Sequence, residues 1–369
     1  MISSFSFPTP ILHGVGALRE LPERLRGMNA GRPLIVTDPG LLTTPAFASL
    51  SALLARAAVF SGVHPNPVEA DVESAAAACR EQGCDSVVGF GGGSALDVAK
   101  IVRAAVAPAV ARWSELSWKE DTGALAPFVA TPTTAGTGSE VGRSSVITFG
   151  NTKRVLFHPE LLARLVILDA ELTVGLPPKL TAATGADALV HCIESFTSPV
   201  FHPLCEAIAI EGLRIGCKFL PRAVDDGGDL EARGMMLMAA TMGGIAFQKD
   251  LGAVHSLSHP LSAHFGVHHG LANALSLLPV LKFNAEREPG LYRRLAAALE
   301  LAEVTDAAFI ASMGALLGQL GLTGGLRAYG VSAEALPMLA EAAFADGCHA
   351  TNPVSVTRED LQRLYTEAL

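Results

Sequence analysis

The sequence contains few charged and few aromatic residues. Only 17% of its 369 residues are charged and 6% are aromatic, whereas 50% are hydrophobic. Positive charge is the scarcer sign, because 27 Lys and Arg stand against 36 Asp and Glu and give a net charge of -9. This excess of negative charge argues against nucleic acid as a partner. The hydrophobic fraction predicts a large buried core rather than disorder, and the length favours two domains.

The sequence also lacks any uninterrupted apolar run of about 18 residues, so it predicts no membrane-spanning helix. Residues 1–10 lack the charged start and apolar stretch of a signal peptide. None of the six cysteines forms a CxxC pair. In a chain of this length, such cysteines are typical of reduced thiols in a cytoplasmic protein. We therefore expect a cytoplasmic protein that does not cross a membrane.

Short apolar strands alternate with helices in the first half of the chain. The pattern predicts strands at residues 33–37, 58–63, 85–90 and 127–131, and helices at 46–57, at 68–82 and from residue 95. This alternation is typical of a parallel α/β sheet, which binds ligands at the carboxyl ends of its strands.

Two of these strands end in loops suited to phosphate. Residues 91–94 read Gly-Gly-Gly-Ser and open a helix, whose free backbone N–H groups and dipole favour a pyrophosphate. Residues 131–140 supply four threonines, one serine and two glycines, which suit a second phosphate or ribose contact. A tight turn and a solvated loop remain alternatives, because such short loops are weak evidence on their own. The GxGxxG fingerprint of an ordinary dinucleotide site is absent after the first strand.

Asp38 follows the first of these predicted strands. Its carboxylate is suited to accept hydrogen bonds from a ribose diol and would repel a 2′-phosphate, which favours NAD over NADP. Asp before Pro-Gly is also ordinary turn chemistry, and the residue types alone favour that interpretation.

The second half of the chain has a helical pattern. Two prolines at 177 and 178 interrupt the periodicity, so we predict domains at 1–177 and 178–369. Helices are predicted at about 180–197, 203–221, 229–247, 271–284, 288–301, 305–320, 332–345 and 358–368.

Histidine is concentrated in residues 251–270, which hold five of the eleven histidines. His255 and His259 are four residues apart and share one face of a helix, as do Asp187 and His191 far upstream. Three imidazoles and one carboxylate from two helices form a plausible shell for a divalent transition metal. Pro260 within this stretch predicts a bend or break.

These segments together resemble the iron-dependent (group III) alcohol dehydrogenases over almost the whole chain. The resemblance rests on the order and spacing of nine segments, which are residues 13–18 (HGVGAL), Asp38, 64–67 (HPNP), 91–100 (GGGSALDVAK), 131–140 (TPTTAGTGSE), 167–173 (ILDAELT), 185–195 (GADALVHCIES), 255–273 (HSLSHPL followed by HGLAN) and 351–353 (TNP).

The resemblance implies a two-domain fold with the active site in a cleft. The fold is an N-terminal Rossmann-like parallel α/β dinucleotide domain followed by an all-helical metal-binding domain, as in dehydroquinate synthase. It implies metal ligands at Asp187, His191, His255 and His269. His259 corresponds to a catalytic-site histidine near the nicotinamide that is not a ligand.

The resemblance also implies a cofactor site. Carried over by position, the NAD contacts fall on Asp38, Asn66, Gly92, Gly93, Ser94, Asp97, Thr133, Thr134, Ser139, Lys153 and His259. NADP is the less favoured cofactor. Fe(II) is the implied metal, although three nitrogens and one oxygen also accept Zn(II) or another divalent ion. A homodimer is implied as well.

The activity implied is reversible hydride transfer between NAD(H) and a small primary or secondary alcohol, giving an aldehyde or ketone. The metal would act as a Lewis acid on the substrate oxygen, and His259 or a water would relay the proton. Since neutral imidazoles must coordinate, metal binding should weaken below roughly pH 6.

The sequence leaves three alternative functions open. A maleylacetate reductase or a glycerol dehydrogenase-like enzyme would share the fold, but Asp187 favours the metal-dependent branch, because maleylacetate reductases do not keep that residue. A dehydroquinate synthase-like lyase would use NAD only transiently. A metal- or nucleotide-binding protein without hydride transfer is the third. The roles of His264 and His268, which depart from the family pattern, stay open, with a neutral surface role favoured.

Overall fold

A computed structural model describes residues 7, 9–150 and 152–369 of the chain. The expectation that residues 1–10 hold no signal peptide concerns a segment that lies largely outside the described residues. The chain forms two compact units, Met1–Leu176 and Pro177–Leu369. No helix of the described part is long and apolar enough to span a membrane.

The first unit is built around a six-stranded parallel sheet with the strand order β1-β8-β5-β4-β2-β3. Its strands are β1 (Ile11–His13), β2 (Pro33–Val36), β3 (Ala58–Phe60), β4 (Ser86–Gly91), β5 (Phe128–Pro132) and β8 (Leu165–Leu168). Every residue of β2, β4, β5 and β8 is buried, which is why these segments are mostly apolar rather than alternating.

Four helices accompany the sheet, and the alternation in the sequence predicts the last three of them. They are α1 (Leu21–Gly27), α2 (Pro45–Leu53), α3 (Glu69–Glu81) and α4 (Gly93–Val106). The expected α/β class is confirmed. The prediction did not include an antiparallel hairpin formed by β6 (Ser144–Phe149) and β7 (Thr152–Phe157).

The second unit is helical throughout its regular elements. It contains α5 (Pro178–Thr197), α6 (Pro203–Asp225), α7 (Leu230–Ala246), α8 (Ala253–Phe265), α9 (His269–Arg287), α10 (Arg293–Ala298), α11 (Asp306–Gln319), α12 (Leu336–Ala345) and α13 (Arg358–Ala368). The helical pattern of the sequence is therefore confirmed for this unit.

Helix α5 lies at the centre of the second unit, where it packs against α6, α7 and α9. All of its residues from Thr181 to Thr197 are buried. Small residues make this close packing possible. A Cβ on Gly216 would lie 2.4 Å from the Leu189 side chain, and a Cβ on Gly270 would lie 2.0 Å from the carbonyl oxygen of Ala183.

Of the bend or break predicted at Pro260, the break was wrong. Helix α8 continues through Pro260 to Phe265. Leu257 and Leu261 on either side of the proline are buried, and Tyr365 Oη donates a hydrogen bond to the carbonyl oxygen of Leu257. This packing outweighs the backbone hydrogen bond that the proline removes, which costs about 3 kcal/mol in an isolated helix.

Candidate functional site

The second unit brings one carboxylate and three imidazoles together. Asp187 and His191 lie one turn apart on α5, His255 lies in the first turn of α8, and His269 is the first residue of α9. Asp187 Oδ1 lies 3.5 Å from His191 Nε2, 3.8 Å from His255 Nε2 and 3.4 Å from His269 Nε2. These four side chains, which we call the His/Asp cage, each offer one ligand atom to a common centre.

The spacing within the cage fits a transition metal. An ion bound tetrahedrally at 2.0–2.2 Å holds its ligand atoms about 3.4 Å apart. The three separations between Asp187 Oδ1 and the histidine Nε2 atoms, 3.4–3.8 Å, are close to that value, and all four ligand atoms lie within 4.8 Å of one another. Three nitrogens and one oxygen are also the donor types that Fe(II), Zn(II) and related ions accept. The residues present therefore fit a divalent metal.

The cage is buried except on one side. The side chains of Asp187, His191 and His255 are 3%, 5% and 1% exposed, whereas that of His269 is 30% exposed. Burial acts to raise the pKa of Asp187, but the neighbouring histidines outweigh it and hold that pKa well below its usual range. Burial acts to lower the pKa of His255, but Glu194 and Asp187 outweigh it and raise the pKa to about 9. Both carboxylates therefore favour the protonated form of this imidazole.

His259 lies beside the cage and is not one of its four members. Its ring stacks on that of His269, with 5.4 Å between centroids. Its Nδ1 lies 2.8 Å from Asp346 Oδ2, and the other oxygen of Asp346 accepts hydrogen bonds from Ser256 Oγ and the backbone N–H of Cys348. With 34% of its side chain exposed, His259 is in contact with both the solvent and the cage.

In the first unit, the predicted cofactor residues lie near the point where the strand order of the sheet reverses. The chain passes from β2 to β3 on one side, whereas β4 returns to the other side of β2 and leads to β5. Such a switch point is the usual ligand crevice of an open α/β sheet. Asp38 follows β2, and its Oδ2 lies 3.6 Å from where a Cβ on Gly91 would be. Its Oδ1 accepts a hydrogen bond from the N–H of Gly40, so the turn interpretation of Asp38 also holds.

The two glycine-rich loops predicted from the sequence pack against each other. Gly92 precedes the first residue of α4, and no side chain caps this helix. A Cβ on Gly92 would lie 3.4 Å from Thr134 Oγ1, and one on Gly93 would lie 2.8 Å from Thr137 Cγ2. Thr133 donates its backbone N–H to the carbonyl oxygen of Gly91. Threonines thus border the helix N-terminus, and at Gly93 they lie too close for a Cβ.

Asp97 and Ser139, both predicted to contact the cofactor, bind each other. Ser139 Oγ donates to Asp97 Oδ1 at 2.6 Å, and Asp97 Oδ2 accepts the backbone N–H of Val146. The fully buried Lys100 donates to Ser139 Oγ and to the carbonyl oxygen of Ser144, both at 2.7 Å. These bonds hold the second glycine-rich loop and the β6–β7 hairpin onto α4, and burial lowers the pKa of Lys100.

The other predicted contacts lie around the same helix end. Ser94 Oγ donates to the carbonyl oxygen of Pro65, next to the exposed Asn66. Lys153 lies on β7 opposite Thr148, whose N–H donates to the carbonyl oxygen of Pro67. Burial lowers the pKa of Lys153. All of these predicted residues in the first unit therefore gather near β4 and α4, and their contact with a cofactor stays a prediction.

Comparison with known proteins places the chain in a family. Residues 8–170 match the family model described as iron-containing alcohol dehydrogenase, and residues 181–369 match the C-terminal model of the Fe-containing alcohol dehydrogenase family.

The chain belongs to the iron-containing alcohol dehydrogenases.

Relatives of this family match along the full length of the chain. A 4-hydroxybutyrate dehydrogenase of Cupriavidus necator is 39% identical over 96% of both chains. An NAD-dependent methanol dehydrogenase of Bacillus methanolicus is 32% identical over 100% of both chains. The crystal structure of a 1,3-propanediol oxidoreductase superposes with a TM-score of 0.95 at 32% identity, again over 100% of both chains. The chain is therefore an oxidoreductase that acts on the CH–OH group of alcohols.

Three polar residues of this alcohol dehydrogenase had no role predicted from its sequence. Glu194 contacts His255 Nδ1, Asn273 Nδ2 donates to Asp187 Oδ1 at 2.7 Å, and Asp346 contacts His259. A local signal existed for the first two, because Glu194 follows His191 by three positions and Asn273 follows His269 by four. No local signal exists for Asp346, which lies 87 residues from His259.

The two histidines that depart from the family pattern lie outside the cage. His264 is exposed near the end of α8, and His268 is exposed immediately before α9. Neither belongs to a group of side chains that could hold a metal among the described residues. Their neutral surface role, favoured from the sequence, stays a prediction.

Proposed function

We propose that this chain catalyses reversible hydride transfer between NAD(H) and a small primary or secondary alcohol, at a divalent metal held by Asp187, His191, His255 and His269. The convergence of their four ligand atoms at metal-like spacing carries the proposal. The metal supplies Lewis acidity to the substrate oxygen, as it does in other metal-dependent hydride transfers. Fe(II) is the proposed native ion, with Zn(II) as the substitute.

His259 is the proposed proton carrier. Its exposed fraction of 34% gives access to bulk solvent, and its stacking on His269 keeps it next to the cage. Asp346 holds its Nδ1 at 2.8 Å, so the protonated ring has a fixed counter-charge and its Nε2 is the atom left to exchange a proton.

NAD is the proposed cofactor, and we assign its site to the first unit, residues 1–177. Gly92, Gly93 and the uncapped start of α4 suit the pyrophosphate, and Asp38 suits the ribose diol. Its negative charge disfavours the 2′-phosphate of NADP. Asn66, Ser94, Asp97, Thr133, Thr134, Ser139 and Lys153 complete the proposed contacts, and residues 178–369 form the proposed metal domain.

A short ω-hydroxy acid is the first substrate to test. The Cupriavidus necator relative acts on 4-hydroxybutyrate by its name, and methanol and 1,3-propanediol are named for the other two relatives. These molecules share a primary alcohol on a short chain. The proposed substrate class is therefore short primary alcohols, with 4-hydroxybutyrate, methanol and 1,3-propanediol as its test members.

The test is net NADH formation with this panel, using protein stripped of metal and then reloaded with Fe(II) or Zn(II). NADP replaces NAD in a parallel series. We expect one NADH per alcohol oxidised, only after metal loading, and with NAD preferred. Full turnover by the stripped protein in the presence of chelator would contradict the metal role. A failure to form net NADH with any alcohol would contradict the dehydrogenase activity, as expected for a lyase that recycles its cofactor.

We further propose a cytoplasmic homodimer. The six cysteines are free thiols, which suits a reducing compartment. Light scattering of the purified holoenzyme tests the oligomeric state, because a dimer has twice the 38.3 kDa mass of the chain. Fractionation of cells that produce the protein tests its location.

A further inference from the structure

Glu194 is a buried acid next to the cage. It lies on α5, one turn after His191 and two turns after Asp187, and its side chain is 5% exposed. Positions i, i+4 and i+7 share one face of a helix, so a single face of α5 carries two cage residues and this further carboxylate. A buried carboxylate requires partners that compensate for its lost hydration.

Both oxygens of Glu194 contact the start of α8. Oε2 lies 2.5 Å from His255 Nδ1, and Oε1 accepts the backbone N–H of Val254 at 2.7 Å. The residue before α8 is Gly252, which has no side chain to cap the helix. A Cβ at this position would lie only 2.8 Å from Glu194 Oε1. The carboxylate thus acts as a cap, together with Asn352 Oδ1, which accepts the N–H of Ala253, in the position where a helix favours negative charge.

The contact with Nδ1 determines how His255 faces the cage. In a neutral imidazole one nitrogen carries the proton and the other carries the lone pair. A carboxylate accepts hydrogen bonds and cannot donate one, so the proton of His255 must lie on Nδ1. The lone pair then lies on Nε2, the atom that is 3.8 Å from Asp187 Oδ1. The short contact also fixes the plane of the ring.

We infer that Glu194 is a positioning residue that fixes the ring and the tautomer of His255, and thereby sets the affinity of the cage for its metal. The inference rests on the proposed metal role of the cage. Carboxylates in this position tighten metal binding in proteins by orienting the imidazole and increasing its basicity. The residue would not touch substrate or cofactor.

Glu194→Gln separates this role from that of a helix cap. The glutamine oxygen can still accept the N–H of Val254, so the start of α8 keeps its partner. The amide NH2 then faces His255 Nδ1 and donates to it. This contact places the lone pair on Nδ1 and the proton on Nε2, which is the wrong tautomer for the cage.

The test measures Co(II) and Zn(II) affinity by competition with a chelator, on the full-length protein stripped of metal. We expect Glu194→Gln to bind both ions about 10–100-fold more weakly than the wild type. Its NAD affinity should stay unchanged. Glu194→Asp keeps the charge on a shorter side chain and should recover part of the affinity. The matched control is Glu206→Gln, which removes a charge from a partly buried glutamate of α6 that pairs with Lys249 and Arg294.

The outcomes separate this inference from the proposed function. Equal affinity of wild type and Glu194→Gln, with the same Co(II) absorption spectrum, would overturn the role of Glu194 and leave the proposed function intact. Loss of the fold in both Glu194 variants would also overturn it, because Glu194 would then be needed for the unit itself. A wild-type protein that binds no metal would overturn the proposed function first.

Discussion

The candidate sites of the two units differ in the kind of atoms that form them. The His/Asp cage consists of side chains, and further side chains such as Glu194 and Asn273 contact its members. The glycine loop at residues 91–94 offers mainly backbone, with threonine side chains packed at its edge. In the cage, function depends on lone pairs and charge. In the loop, function depends on glycines, because a side chain at their positions would occupy the space beside the backbone.

This difference predicts two kinds of sensitivity to substitution. In the cage, a change of chemistry at constant volume should be damaging, because each ligand atom needs a defined direction. In the loop, a change of volume at constant polarity should be damaging, because one added methyl group fills the space that a phosphate would approach. The four substitutions below test this contrast, beginning with the largest expected effect.

His255→Ala should abolish metal binding and activity together. It removes one ligand and leaves one oxygen of the buried Glu194 without a partner, so we expect metal-dependent turnover to fall by at least about 100-fold. Metal content and NADH formation of the same preparation measure the effect. His264→Ala removes an exposed histidine from the same helix and should retain both properties. Wild-type activity in metal-free His255→Ala would contradict the role of the cage.

Gly93→Ala should weaken NAD binding and spare the metal. Its new Cβ would lie 2.8 Å from Thr137 Cγ2, and such overpacking costs about 1–3 kcal/mol. We expect the KM for NAD to rise roughly tenfold, with unchanged metal affinity. Gly318→Ala is the control, because a Cβ there meets no atom within 4 Å. An unchanged KM for NAD would show that the loop tolerates an added methyl group. The proposed difference between the loop and the cage would then be wrong.

Lys100→Met tests whether the loop region also depends on buried charge. The substitution keeps the length of the side chain but leaves Asp97 and the Ser144 carbonyl without the ammonium donor. We expect the free energy of unfolding to fall by about 1–3 kcal/mol and NAD affinity to fall, with metal binding retained. Urea denaturation and NAD titration measure the two effects, and Lys119→Met removes an exposed lysine of the same unit as the control. If Lys100→Met lowered metal affinity alone, the assignment of Lys100 to the loop network would be wrong.

Asp346→Asn should have the smallest effect, because it leaves the cage itself intact. Burial acts to raise the pKa of Asp346, but His259 and the N–H of Cys348 hold it below its usual range. A carboxyl with a lowered folded-state pKa stabilises the fold above its unfolded-state pKa of about 3.9 and loses this effect as the pH falls through the folded-state value. The stability difference between wild type and variant should therefore be constant near pH 7 and shrink below about pH 4. A severalfold fall in kcat at unchanged metal content is expected as well, and a difference that grows on acidification would contradict this account.

The sequence predicted the cage better than the contacts that support it. Asp187 and His191 share one turn of a helix, so their spacing alone placed them together. The loops at the ends of β2 and β4 were also predictable from local sequence, because turn residues directly follow the apolar strands. Glu194 and His255 are 61 residues apart, and Lys100 and Ser139 are 39 apart. Such pairs depend on tertiary packing, which no local pattern encodes.

The two errors in the predicted secondary structure also arise from tertiary packing. Pro260 predicts a break when the helix is considered alone, but the buried leucines around it keep α8 continuous. The β6–β7 hairpin was not predicted because its second strand reads Thr-Lys-Arg-Val-Leu-Phe and buries little of its length. Its attachment to α4 through Asp97 and Lys100 is again a contact between residues distant in sequence.

The burial of α5 has a consequence for the kinetics of the helical unit. From Thr181 to Thr197 no residue of this helix is exposed, and neighbouring helices approach it through glycine. Amide hydrogens in such a segment exchange with solvent only when a large part of the surrounding structure opens. In a hydrogen–deuterium exchange experiment, the turns that carry Asp187 and His191 should be among the last to incorporate deuterium. Fraying at helix ends would then leave Asp187 and His191 in place, whereas it could move His255 and His269, which lie at the starts of α8 and α9.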